Sequence, residues 1–412
     1  MTSRSPVTVV GVGDDGCLGL PARAMNAIAR ADVLVGGERL LGFFPEVRAT
    51  RIAIKGGLAA VLDRIAELAL EQQVVVLGSG DPLFYGIGTQ VVQRIGAEHV
   101  EVIPQVSSVQ WAFARAGLPW HDATLLSLHA RGRRGLAVRL RRAVKAAVLT
   151  DDENSPPRLA THLLEHGVTG LTAWVCENLA GPGERVRRFE LAELATERDI
   201  APLNVLLLAR TDPAWRPPPA LPYLPEESFA RRMPKHGLIT KREVRVLSLG
   251  ALALCPDSVV WDIGAGSGSV AIEAGLLCPE GRIFAVEIDD ECVAMCRDNL
   301  RHHGADNVEV IHGLAPAALD GLPEPDAVFV GGSKGAMDGI IDHALDRLRP
   351  GGRLVVNAIT LDNVAEAYRA LRGRDLVPDL VVANCARGAP LARYLRYEAQ
   401  NPVHIFTVEK PR

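Results

Sequence analysis

No stretch of this 412-residue sequence approaches the roughly 18 consecutive apolar residues of a membrane-crossing helix, so no membrane partner is expected. The opening residues, Met1 to Pro6, lead only into a short apolar run at Val7 to Val10, too brief for the core of a secretory leader. The seven cysteines are scattered and form no Cys-x-x-Cys pair. Cys292 and Cys296, four apart on a predicted helix, read as packing neighbours, so a reduced, cytoplasmic chain without a metal site is expected. A formal charge of −4 provides no basic field, which argues against nucleic acid. There is also no nucleophile–base pair and no Walker lysine, and the two halves show no repeat. Chemistry must then rest on a bound cosubstrate and on positioning.

With 48% hydrophobic and 23% charged residues, the composition is that of a globular protein long enough for two or three domains. The sharpest break is Thr211 to Pro225, where six prolines in fifteen residues cannot continue a helix or a central strand. The predicted division is a first domain over 1–210, a Pro-rich linker over 211–234 and a second domain over 235–412. Both halves alternate β-branched runs with amphipathic stretches. Strands are predicted at Val7–Val10, Val74–Leu77, Val100–Ile103, Ala146–Leu149, Thr172–Val175 and Asn204–Leu208. The second half continues with Ser258–Ile263, Arg282–Val286, Val308–Ile311, Ala327–Val330, Arg353–Val356 and Val403–Val408. Alternation of this kind predicts α/β folds with largely parallel sheets.

In the second half, the strand Ser258-Val-Val-Trp-Asp-Ile263 runs into Gly264-Ala-Gly-Ser-Gly268, and a helix is predicted from Ser269 to Leu277. Glycines at such a turn let backbone approach a ligand closely. Asp262 precedes the turn, giving Asp-x-Gly-x-Gly-x-Gly rather than the Gly-x-Gly-x-x-Gly of dinucleotide folds. Glu287, nineteen residues after Gly268, ends the next strand and is placed to accept hydrogen bonds from both hydroxyls of a ribose. Ala265, Gly266 and Ser267 complete the loop, and backbone groups of Leu314 and Ala315 would frame an adenine. After the fourth strand comes Val330-Gly-Gly-Ser333 and Lys334, without the Asn/Asp-Pro-Pro-aromatic motif of many amine and RNA methylases. That turn suits a carboxylated substrate. These features resemble the class I S-adenosylmethionine-dependent methyltransferases, with a Rossmann-like fold.

The first half carries three strand-to-loop elements: Val9-Val-Gly-Val-Gly13, Val74 to Gly78-Ser-Gly-Asp-Pro82, and Ile103-Pro-Gln-Val-Ser-Ser108. Gly-Ser-Gly-Asp-Pro followed about twenty residues later by Pro-x-x-Ser-Ser resembles the class III tetrapyrrole methylases, which have two small α/β lobes. Asp32-Val-Leu-Val-Gly-Gly37, Ser127-Leu-His-Ala-Arg131 and Cys176-Glu-Asn-Leu179 are similar to the cobalamin-pathway branch that methylates C5 of the corrin ring. That branch usually has Gly where this chain has Ala130. The resemblance implies cofactor contacts from Gly11, Gly13, Gly80, Asp81, Ser107 and Ser108, with Leu203 and Asn204 as further candidates.

As a whole, with Asn357-Ala-Ile-Thr-Leu-Asp-Asn363 and Asn401-Pro-Val403 included, the chain resembles the fused methyltransferases of aerobic cobalamin (vitamin B12) biosynthesis. That resemblance implies methylation of precorrin-6B at C5 by the first domain. It implies methylation at C15 and decarboxylation of the C12 acetate by the second, giving precorrin-8X. One S-adenosylmethionine site per domain, a small-molecule tetrapyrrole as partner, and a homo-oligomer follow from it. Holding several carboxylates calls for Arg and backbone donors, and the candidates are Arg242, Arg245, Ser333, Lys334 and Arg387. Asn357 would orient the reacting acetate, and Thr240 would contact the cofactor. Two alternatives stay open: a methyltransferase on another tetrapyrrole, and a non-catalytic scaffold with decayed clefts.

Overall fold

The computed structural model describes residues 6–231 and 239–412. Residues 232–238, where the predicted linker ends and the second domain begins, lie outside the described residues. The chain packs as two compact units. The first comprises residues up to 132 with 143–161 and 170–213; the second comprises 214–412 together with 133–142 and 162–169.

The first unit opens with a parallel five-stranded sheet of β1 (Val7–Val12), β2 (Val33–Gly36), β3 (Thr50–Ala53), β4 (Val74–Ser79) and β5 (Val100–Ile103), ordered β3-β2-β4-β1-β5. Its strands are Val-rich because both faces are covered, as parallel sheets require. Val10, Val12, Leu34 and Leu77 pack on one face, and Val7, Val9, Val35 and Val76 on the other. A second sheet contains β6 (Thr124–Ser127), β7 (Lys145–Leu149), β8 (Thr172–Glu177), β9 (Arg185–Glu190) and β10 (Asn204–Ala209), in the order β6-β7-β10-β8-β9. Here the expectation of largely parallel pairing fails. β10 runs antiparallel to β7 and β8, and β8 and β9 form an antiparallel hairpin. β9, Arg-rich and mostly half-buried, carries no apolar run that marks it as a strand, and β2, β3 and β6 were not predicted either.

The second unit is built on seven strands: β11 (Val259–Ile263), β12 (Arg282–Glu287), β13 (Val308–His312), β14 (Ala327–Val330), β15 (Arg353–Ala358), β16 (Asp379–Ala383) and, after a separate hairpin, β19 (Val403–Glu409). The hairpin is β17 (Ala386–Leu391) with β18 (Tyr394–Ala399). The sheet order is β13-β12-β11-β14-β15-β19-β16, parallel through β15, with β19 antiparallel to both neighbours. β11 pairs with β12 on one side and β14 on the other, so the direction of winding reverses between β11 and β14. The crevice at the carboxyl ends of such strands is where open α/β sheets bind ligands. No described helix is long and apolar enough to cross a membrane.

The Pro-rich segment does not stay detached over its whole length. Leu224 donates its N–H to the Glu273 carboxylate at 2.9 Å, and Phe229 is buried in the core of the second unit.

Candidate functional site

The loop after β11 and the loop after β14 meet at this reversal. Gly264 has φ +73°, and a Cβ there would lie 2.6–2.9 Å from the backbone of Gly332. Only glycine allows both the left-handed backbone and the close approach. Around these loops opens a cleft of about 1010 Å³, lined among others by Thr240, Gly264, Ala265, Gly266, Glu287, Leu314 and Ala315. Ser333, Lys334, Asn357 and Arg387 also face it. Candidate residues from seven separate positions along the second half therefore share one cavity. Ser333 is buried, and Lys334 sits at φ +50° just after it.

Glu287 is 8% exposed and already heavily used. Its Oε1 accepts the N–H of Ile288 at 2.8 Å and of Asp289 at 2.9 Å, and its Oε2 accepts that of Gly266 at 2.8 Å. Three of about four acceptor positions of the carboxylate are filled. These contacts tie the carboxylate to the glycine loop and to the start of the helix Asp290–His303.

Asp262, Ser267 and Gly268 do not line the cleft. Asp262 is buried beneath the loop and accepts the Ala271 N–H at 2.8 Å, which ties the first turn of the helix Ser269–Leu277 to the end of β11. Burial pushes its carboxyl up to about 7, opposed by the Ala271 hydrogen bond and helped by the charge of Glu287. Its role is to shape the loop from behind. Its Oδ1 and the Ser267 Oγ are buried without a hydrogen-bond partner among the described residues. Buried polar atoms of this kind call for a partner.

The arginine candidates divide. Arg245 is fully buried and cannot reach a substrate: it pairs with Glu273 at 2.8 Å and donates to the carbonyls of Thr240 and Leu224. It fixes the backbone of Thr240 instead. Arg242 stacks over the Tyr223 ring at 4.9 Å and does not line the cleft. Arg387 does line it, but its guanidinium donates to Glu226 at 2.7 and 2.9 Å and to Glu243 at 2.5 and 2.9 Å. Burial would raise the Glu226 carboxyl, yet Arg387 and the Arg242 N–H hold it at about 2. Glu243 is likewise held below the usual carboxylate range by Arg387. The arginine chosen as a carboxylate receptor thus already has two carboxylates of its own. Only the fold reveals this, since Glu226 and Glu243 are remote from it in sequence.

Asn357 reaches the cleft from β15 with a fixed amide. Ser248, fully buried on the helix Arg242–Leu252, donates to the Val244 carbonyl at 2.9 Å and lies 2.8 Å from Asn357 Nδ2. With the hydroxyl proton on Val244, Ser248 Oγ accepts from the amide N–H. Nothing in the sequence singled out Ser248.

In the first unit the three loops converge as well. A Cβ on Gly11 would overlap the Gly80 carbonyl oxygen and come within 2.9 Å of the Gln105 backbone nitrogen, which draws the ends of β1, β4 and β5 together. Ser107 caps the helix Ser108–Ala116 by accepting the Gln110 N–H at 3.2 Å. Asp81 accepts the Leu83 N–H at 2.9 Å. These side chains hold their own loops. Asn204 is turned inward, accepting from Thr150 Oγ1 at 2.7 Å and donating to the Ala201 carbonyl at 2.8 Å. Leu203 is about half exposed, and its carbonyl accepts the Asn178 N–H at 3.0 Å.

Comparison with known proteins gives matches over both halves. Residues 6–195 match the family described as tetrapyrrole (corrin/porphyrin) methylases, and residues 232–410 match the precorrin methyltransferase domain. A precorrin-6Y C(5,15)-methyltransferase (decarboxylating) from Sinorhizobium sp is 36% identical over 402 residues, covering 96% of this chain and 94% of the relative. A cobalt-precorrin-7 C(5)-methyltransferase from Salmonella typhimurium is 36% identical over 200 residues, 48% of this chain and 98% of the relative. A probable cobalt-precorrin-6B C(15)-methyltransferase (decarboxylating) from Sulfurisphaera tokodaii is 35% identical over 195 residues, 46% of this chain and 99% of the relative.

Proposed function

The chain belongs to the precorrin-6Y C(5,15)-methyltransferase (decarboxylating) family, and on that premise we propose that it methylates precorrin-6B at C5 and C15 and decarboxylates the C12 acetate, giving precorrin-8X. Methyltransferases of this family use S-adenosylmethionine, whose sulfonium supplies an electrophilic methyl group. The observation that carries the reading is the cleft at the β11–β14 reversal, where a glycine cradle and the Glu287 carboxylate meet. Those features fit a nucleoside cofactor. Within our reading, residues 1–210 serve C5, and residues 235–412 serve C15 and the acetate, with 211–234 as the connection. Each domain would hold its own cofactor. The matches of the two halves to separate family descriptions support this division.

A meso carbon of a partly reduced tetrapyrrole is an enamine-like nucleophile, so the protein's task is alignment rather than strong base catalysis. Gly264, Ala265 and Gly266 would hold the cofactor with Glu287, and Leu314 and Ala315 would frame its base. Ser333, Lys334 and the backbone of their turn would bind substrate carboxylates, and Asn357 would orient the acetate. Loss of CO2 leaves an electron pair that the ring π-system accepts, so the chain need supply only orientation and a proton. In the first unit the backbone around Gly11, Gly80 and Ser107 would hold the second cofactor.

Calorimetry with S-adenosylhomocysteine tests the count: two sites per chain are expected, and Glu287→Ala should remove one. A single site in the unaltered chain, or two after the substitution, would count against the reading. Mass analysis of the product from precorrin-6B tests the chemistry, with two added methyl groups and one lost CO2 expected. A cytoplasmic homo-oligomer belongs to the same reading. The exposed Tyr394, Leu395 and Tyr397 of the β17–β18 hairpin support self-association, which sedimentation would measure.

A further inference from the structure

We propose that Arg131, held above the ring of Tyr85, binds a carboxylate of the macrocycle beside the cofactor loop of the first unit. The inference rests on the tetrapyrrole reading and adds to it a substrate-binding residue for C5 methylation. The Gly78-Ser-Gly-Asp-Pro82 loop runs directly into Leu83, Phe84 and Tyr85. Phe84 packs against the cluster containing Val109, Ala112 and Phe113, and meets Tyr85 edge-on at 4.9 Å. Tyr85 itself sits at φ +54° and donates its hydroxyl to the Leu125 carbonyl at 3.3 Å. Its ring is therefore fixed from two sides, yet it remains 47% exposed.

Arg131 arrives from the other sheet on an equally constrained loop. Ala130 has φ +55°, a conformation that costs an alanine energy and persists only where the surroundings impose it. They do so here. Asp151 accepts the Ala130 N–H at 2.7 Å, and the buried Asn154 donates to the carbonyls of Leu128 and Arg131, both at 3.0 Å. The loop is spent on presenting Arg131, whose guanidinium carbon lies 5.5 Å from the centre of the Tyr85 ring. Among the described residues no carboxylate forms an ion pair with it, in contrast to Arg387 with Glu226 and Glu243. A guanidinium stacked on an aromatic face keeps its N–H edge free for bidentate binding of a carboxylate. The exposed side chains of Leu83 and Val106, on the loops of Asp81 and Ser107, offer apolar surface for a flat ring nearby. A polycarboxylate macrocycle presents both kinds of surface together.

The test uses the full chain, precorrin-6B and S-adenosylmethionine, with C15 methylation and CO2 release in the same molecule as the internal control. Arg131→Gln should raise KM for C5 methylation roughly 10- to 100-fold, the worth of one charge-assisted bidentate contact, with kcat within about 2-fold. At low substrate a product with one methyl group and one lost CO2 should accumulate. Arg131→Lys should recover only part of the loss, because a point charge cannot reproduce the fork, and Tyr85→Leu should fall between. Both positions are exposed, so folding should be unaffected, and homocysteine-cofactor affinity at that site should stay unchanged. An unaltered KM for C5 methylation in Arg131→Gln, or an equal loss at C5 and C15, would overturn the proposal. Macrocycle binding, followed by absorbance with S-adenosylhomocysteine present, separates this from the functional reading. If one of two binding steps weakens in Arg131→Gln while the unaltered chain transfers no methyl group, the reading fails and the role of Arg131 stands.

Discussion

Asp262 shows how far a motif residue can stand from the role its motif suggests. Its carboxyl, pushed up to about 7 by burial, favours the protonated form in the folded state. An unfolded Asp ionises near the ordinary value of 3.8. Between these values the unfolded chain has lost the proton and the folded chain has kept it, so stability falls as pH rises from about 4 to about 7. Asp262→Asn keeps an acceptor for Ala271 and cannot ionise. We expect calorimetric unfolding of the second unit to lose part of its pH dependence in that window, on the order of 1 kcal/mol per pH unit. Ala130 makes a second prediction at this scale. At φ +55° it should gain from Ala130→Gly by about 0.5–1 kcal/mol, measured by urea unfolding, with the Asp151 contact intact. Both effects depend on neighbours that are distant in sequence, which is why neither could be read from the motifs alone.

Several buried strands were legible, although the short, fully buried β2 was not predicted. β1, β4, β11 and β14 are continuous apolar runs and stood out, whereas β16, β17 and β18 are mostly exposed and did not. The β17–β18 hairpin is held at its base by Arg387, which spans from β17 to Glu226 and to Glu243 at the start of the helix Arg242–Leu252. Glu226, held at about 2, contributes stability that is full above pH 4.5 and is lost as pH falls toward 2. Arg387→Ala should therefore loosen the hairpin near neutral pH by about 2 kcal/mol, discounted for the partial exposure of the arginine. Hydrogen exchange over 386–399 would show it as faster exchange. The unaltered chain should show the same loosening only on acidification. The buried Ser248 makes a narrower prediction. Ser248→Ala frees the Asn357 amide and should slow CO2 release about 10-fold in the Asn357 background but add nothing to Asn357→Ala.

For the whole molecule, the proposal of one cofactor site in each compact unit predicts two responses to one ligand. S-adenosylhomocysteine at about 100 times its Kd should stabilise each unit by about 2.7 kcal/mol, and Glu287→Ala should abolish the thermal shift of only one transition. Two shifts surviving that substitution would place Glu287 outside the site. The sequence by itself determined the α/β class and the loops at Gly264 and Gly80, because each follows from local hydrophobic patterning and backbone restriction. It also determined the family, since the motifs are contiguous. Tertiary structure alone decided which charged groups remain available. Arg245 and Arg387 are spent on Glu273, Glu226 and Glu243, whereas Arg131 is lifted onto Tyr85 and left open. The physical reason is that a charge is defined by its neighbours in space, and pairing between residues so far apart in sequence leaves no periodicity in the chain.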